Sequence, residues 1–130
     1  MTTHIRFRDG VTIVEPSGQI VGANVPELRE IILPHIAADD EPRILINFEH
    51  VKRMSSSGLG LLMQARSLAK HKKGRMGVIH VGKHIKNLLV LSRLSSLFEH
   101  FDSEAAAIAT LSEWHRNFNT RQTQTRFGVS

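Results

Sequence analysis

The sequence predicts one α/β domain with a mixed, mostly parallel sheet, and three observations carry that reading. Apolar runs of strand length alternate along the chain with stretches of helical periodicity, which implies right-handed crossovers between parallel strands. Asp9-Gly10 separates two strand-like stretches near the N-terminus, the signal of an antiparallel hairpin. Between the continuous apolar run Ile44–Phe48 and an amphipathic stretch lies MSSSGLG, Met54 to Gly60. A continuous run of that kind belongs to a strand buried on both faces.

In chain order, residues 5–8 and 11–14 are the hairpin strands. Pro16 to Gly18 is expected to break the second, with Ile20 and Val21 extending the sheet beyond the break. The first helix begins near Asn24, with Pro26 in the first turn, where its missing N–H costs nothing. Leu28, Ile31, Ile32, His35 and Ile36 share one face at helical spacing. Pro34 is expected to kink or end that helix. A polar loop, Asp39-Asp40-Glu41-Pro42, leads into the strand 44–48. The helix after the serines is the clearest in the chain. Leu61, Leu62, Ala65, Leu68 and Ala69 form its apolar stripe, Gln64, Arg66 and Lys70 its polar face, and Gly74 closes it.

Met76 to Val81 is the next strand, Ile85, Leu88 and Leu89 mark a short helix, and residues 97–101 read as an edge strand. Ser103 caps a last helix carrying Ile108, Leu111 and Trp114. Helices around residues 26–36, 58–72 and 84–91 should cover most of the sheet. The domain is placed at residues 1–118. Residues 119–130, rich in Thr, Gln, Arg and Asn, have little to bury and are expected to form a disordered tail.

Composition narrows the function. A chain of 130 residues with 41% hydrophobic and 22% charged residues is an ordinary globular domain. It has no cysteine, which excludes disulfides, thiolate nucleophiles and cysteine-ligated metals. No N-terminal apolar segment reads as a signal peptide, and no apolar run approaches the roughly 20 residues of a membrane span. A cytoplasmic location is expected. The net charge of +5 raises nucleic acid or anionic membrane as partners. Part of the excess, however, sits at Lys70-His71-Lys72-Lys73, where cations complement a helix C-terminus. Aromatic residues are 5% and none interleaves that cluster, so nucleic-acid binding is not expected.

The serines admit several chemistries, and most fail on spacing. A nucleophile elbow centred on Ser56 would need glycine at Met54. A phosphate-binding P-loop needs a lysine that Gly58-Leu59-Gly60-Leu61 lacks, and a dinucleotide fingerprint would need glycine at Met63. His80 and His84 are four apart but straddle Gly82 without a nearby carboxylate, so they read as surface imidazoles and no metal is expected. No cofactor is expected either. Ser56 or Ser57 could cap the helix, with Gly58 and Gly60 permitting close packing. A cap requires one serine, however, and these three lie at the carboxyl end of a strand, where open α/β sheets place functional surfaces. The helix N-terminus tolerates a phosphate. A modifiable or recognised serine therefore fits better than a catalytic one.

The stretch ILINFEHVKRMSSSGLGLLMQA resembles the central signature of STAS domains, the family of bacterial anti-sigma factor antagonists, in which a strand leads into Asp-Ser-Ser-Gly-Leu-Gly and a helix. VEPSGQIVGANVPELREII is similar to the family's Gly-Glu-(Leu/Ile)-Asp segment and first helix. GRMGVIHVGKHIKNLLVLSRLSSLF is similar to its later strand, helix and Leu-rich turn. The resemblance covers roughly Val11 to Leu111. It implies a binding module rather than an enzyme. Such a module binds an anti-sigma factor kinase when unphosphorylated and is released once the kinase modifies its serine. The family's modified serine falls on Ser56, with Ser57 and Ser55 as alternatives. The partner surface would comprise Met54, Gly58, Gly60, Met63, Gln64, Arg66 and Ser67.

Two positions depart from the family pattern. The aspartate before the serines is Ser55 here, and the aspartate of the Gly-Glu-(Leu/Ile)-Asp segment aligns with Val21. Both changes remove negative charge from the neighbourhood. The resemblance also admits a soluble subunit of a lipid transport system, or a scaffold that is not phosphorylated. It implies nothing about oligomeric state.

Overall fold

The computed structural model describes residues 1–112. Trp114, the domain end at residue 118 and the tail 119–130 lie outside the described residues. Strand β1 (Thr2–Arg8) and strand β2 (Val11–Ile20) form the expected antiparallel hairpin, in register from Thr2 opposite Ser17 to Arg8 opposite Val11. Asp9 and Gly10 both take positive φ, 50° and 80°, as a two-residue turn between twisted strands requires.

The strand does not break at Pro16. β2 instead changes partner. Its residues Thr12–Val14 pair in parallel with β3 (Arg43–Asn47), and Gly18–Ile20 pair in parallel with β4 (Val51–Met54). Residues 15–17 have no ladder partner on that side, which is where a proline is tolerated. Strand β4 was not expected from the sequence. It is four residues long, carries exposed Lys52 and Arg53, and pairs only with β2. β5 (Arg75–Ile79) lies parallel to β3, and β6 (Glu99–Phe101) parallel to β5, giving the order β1-β2-β3-β5-β6.

Helices α1 (Val25–Ala37), α2 (Ser56–His71) and α3 (Lys83–Leu91) cover one face of the sheet. A helix at residues 104–112, α4, covers the other. Strand alternation sorts the core between them. Val14, Ile44, Ile46, Met76 and Val78 face α1–α3, while Val11, Ile13, Leu45 and Ile79 face Ala107, Ile108 and Leu111 of α4. Ser103 caps α4 as expected, its Oγ accepting from the Ala106 N–H at 3.1 Å.

α1 runs through Pro34 to Ala37. The proline falls in the last turn, where few further backbone bonds depend on it, and Lys72 Nζ donates to the Ala37 carbonyl at 2.6 Å. In α2, Leu61, Leu62, Ala65 and Ala69 are buried, but Leu68 is half-buried at the stripe's edge. The left-handed residue that ends α2 is Lys73, φ 63°, rather than Gly74. Gly74 matters for packing: a Cβ there would lie 2.1 Å from the Pro42 carbonyl oxygen.

On the α4 side, Arg6 of β1 bridges Glu15 of β2 and Glu104 at the start of α4, and Glu15 also accepts from Asn47. The Arg6 hydrogen bonds hold both carboxyls below their ordinary value of 4.5. Carboxyls depressed in the folded state stabilise it above that value and lose the contribution as pH falls below it. Arg6 is 44% exposed, so each pair is worth less than about 1 kcal/mol. Urea midpoints measured at pH 6 and pH 3.5 should therefore fall less in Arg6→Ala than in the unaltered chain. An equal fall would remove these pairs from the account.

Candidate functional site

β4 continues alongside β2 beyond the end of β3, and β2 and β4 end together with Ile20 opposite Met54, so β4 delivers the serines at the carboxyl end of β2. Ser55 follows Met54 in extended conformation (φ −92°, ψ 175°) and is the N-cap of α2. Its backbone N–H donates to the Ile20 carbonyl at 2.9 Å, and its Oγ accepts from the Gly58 N–H at 3.5 Å. The cap is thus one residue earlier than Ser56 or Ser57. Aspartate and serine are comparable N-caps, so the change from the family aspartate keeps the cap and drops the charge. Ser55→Asp should leave stability within about 0.5 kcal/mol, whereas Ser55→Ala should cost about 1 kcal/mol. Thermal unfolding of the two variants would check this.

With Ser55 serving the helix, Ser56 and Ser57 are the first two helical residues, and both are exposed. Among the described residues, neither hydroxyl makes a hydrogen bond. Ser57 leans toward the β2–α1 connection, its Oγ 4.0 Å from where a Cβ on Gly22 would sit. No acidic residue occupies the first turn of α2, and first-turn N–H groups have no acceptor within their own helix. The turn can therefore accommodate added negative charge.

The remaining expected contact residues separate into two groups. Met54 is 3% exposed and Gly58 is buried, so neither lies on an exposed partner surface. A Cβ on Gly58 would lie 2.7 Å from both Ile20 Cγ2 and Met54 Cγ, so the two residues lock the turn onto β2. Gly60, by contrast, is exposed, with nothing within 4 Å of where its Cβ would be. Met63 is half-buried against the core, Gln64 and Ser67 are exposed, and Arg66 is half-buried with its Nε donating to the Leu97 carbonyl at 2.5 Å. Arg66 therefore ties α2 to the 3₁₀ turn Ser95–Leu97.

Sequence reasoning missed the contribution of α1. Arg29 donates to Gln64 Oε1 at 3.1 Å, and Leu33 joins Gln64, Ser67, Leu68 and His71 around a groove of about 380 Å³. Only the spacing of Arg29 and Leu33, four apart on the flank of the α1 stripe, marks them in sequence. Among the described residues, no group of three or more His, Asp or Glu side chains is placed to hold a metal ion. Glu49 instead lies 3.9 Å from His50 and from His80. Among the described residues, no helix is long and apolar enough to cross a membrane.

The STAS domain family model matches residues 2–107. This chain belongs to the STAS domain family. The STAS domain described here is 28% identical over 102 residues to an anti-sigma F factor antagonist of Paenibacillus polymyxa, covering 78% of this chain and 87% of that protein. A crystal structure of an anti-sigma factor antagonist from Mycobacterium paratuberculosis superposes with a TM-score of 0.75 at 26% identity, covering 85% and 92% of the two chains. The Bacillus cell fate determinant SpoIIAA in its phosphorylated form superposes at 0.66 and 20% identity, covering 84% and 98%, and shares the fold.

Proposed function

We propose that this STAS domain is an anti-sigma factor antagonist: a module that binds an anti-sigma factor kinase and is switched by phosphorylation of Ser56. The observation that carries the reading is the division of labour within the serine run. Ser55 is engaged as the cap, while Ser56 presents an exposed hydroxyl at the first position of a helix that tolerates negative charge. A kinase needs such a hydroxyl, free of competing bonds and held on a rigid scaffold. The named relatives support the choice of partner, since two of them are anti-sigma factor antagonists.

The exposed residues of α2, Gly60, Gln64 and Ser67, form the contact face beside Ser56, extended by Arg29 and Leu33 across the groove. Ser67→Glu should weaken binding of the anti-sigma factor about tenfold or more, as truncation or charging of a central contact does. Its unfolding temperature should not change, because Ser67 is exposed. The experiment is calorimetric titration of anti-sigma factors from the same genome into the unphosphorylated chain. Saturable binding by one of them, weakened by Ser67→Glu, supports the reading. Failure of all of them to bind would overturn it.

A further inference from the structure

Between His50 and Phe98 the chain contains ten Lys and Arg residues and no Asp or Glu. That span comprises β4, α2, β5, α3 and the 3₁₀ turn, and it includes the serine turn. The charge of this span is therefore one-sided, whereas α1, on the other side of the serine turn, carries the exposed acids Glu27 and Glu30. Part of this charge is internally committed: Arg75 pairs with Glu99, and Lys72 and Arg66 donate to backbone carbonyls. Another part is not. Arg53, Lys83 and Lys86 are exposed, and among the described residues none of them takes part in an ion pair.

The fold places these three on two neighbouring elements, β4 and α3. Arg53 lies on β4 two residues before Ser55, and α3 packs against β4. Ile85 and Leu89 are the buried side of α3, so Lys83, Lys86 and Val90, at helical spacing, form its outward stripe. At the far end of α3, Val90 and Leu91 are 56% and 83% exposed.

We propose that β4, the serine turn and the outward stripe of α3 form a cationic docking face whose occupant is an acidic surface of a protein partner. The proposal deepens the partner-binding reading above and rests on it. Charge complementarity names the occupant: an interface with cations on one side and no acid of its own selects acids opposite and repels other cations. The adjoining apolar pair, Val90 and Leu91, suits a protein interface, which combines an apolar core with a charged rim. A nucleic-acid surface fits less well, since the sole aromatic residue from 50 to 98, Phe98, is buried and offers no stacking platform. A lipid surface also fits less well, because the apolar side of α3 is already used by the core.

The test measures association of the anti-sigma factor that the unphosphorylated chain binds, comparing the unaltered chain with Arg53→Glu/Lys83→Glu/Lys86→Glu. A neutral triple Gln variant provides a graded control, and circular dichroism checks folding of each. Association should slow about tenfold or more at low salt for the Glu variant, less for the Gln variant, with the rates converging at high salt. Equal rates, with binding otherwise intact, would overturn the docking face while leaving the antagonist reading in place.

Should no anti-sigma factor bind, the antagonist reading fails and a second arm decides the face. The ¹⁵N-labelled full chain is titrated with decaglutamate, with a short DNA duplex, and with vesicles of phosphatidylcholine and phosphatidylglycerol. Shifts from decaglutamate clustered around Arg53, Lys83 and Lys86, without duplex or vesicle binding at about 0.15 M salt, support the proposal. Shifts elsewhere, no shifts, or persistent duplex or vesicle binding through these residues would overturn it.

Discussion

Gly58→Ala should destabilise the domain by about 1–3 kcal/mol, although alanine is the better helix former by about 1 kcal/mol. The added methyl would lie 2.7 Å from Ile20 Cγ2, 2.7 Å from Met54 Cγ and 2.8 Å from the Ile20 carbonyl oxygen. That carbonyl, at the end of β2, itself accepts the Ser55 N–H, so it cannot withdraw without disturbing the turn. Gly60→Ala, two residues on, should do the opposite. Its methyl would meet nothing within 4 Å, so the fold should gain about 0.5–1 kcal/mol from helix propensity. Partner binding should weaken, because Gly60 lies on the proposed contact face and the methyl would fill space open to the partner. Urea denaturation of both variants checks the pair, and a stable Gly58→Ala would show that the turn is not packed as described.

Ser56→Asp should reduce affinity for the anti-sigma factor by tenfold or more, and Ser56→Ala should retain it. The argument is electrostatic and local. A phosphate brings about −1.5 to −2 charges and three acceptor oxygens to a position now occupied by a neutral hydroxyl. Within the domain that charge is accommodated, because it sits at the positive end of α2 with no acid in the first turn. Across an interface it must be accommodated by the partner. An acidic partner surface would be repelled by it, so the cationic docking face and the phosphoswitch reinforce each other. Titration calorimetry of the two variants reads the difference. Equal affinities for Ser56→Asp and the unaltered chain would remove Ser56 as the switch.

Much of the fold was legible because its signals are local. Asp9-Gly10, the Leu61–Leu62–Ala65 stripe, the buried run 44–48 and the Ser103 cap each carry their own physics within a few residues. The errors arose where a distant partner decides. Pro16 reads as a strand breaker until β2 is seen to hand over from β3 to β4. β4 itself has two exposed cations in four residues and exists only because β2 is beside it. The cap moved to Ser55 because the extended Ser55 backbone is held by Ile20, thirty-five residues away. Met54 and Gly58 read as surface because they flank exposed serines, yet each packs on β2. Arg29 and Leu33 carry no motif, and only the packing of α1 against α2 brings them to the groove.

The most direct test incubates the full chain with the anti-sigma factor kinase it binds and ATP, then maps the modified residue by mass spectrometry. One phosphate on Ser56, with loss of the complex as it accumulates, is the predicted result. A complex that forms and persists with ATP present, with no phosphate on Ser55, Ser56 or Ser57, would contradict it and leave a binding scaffold without a switch.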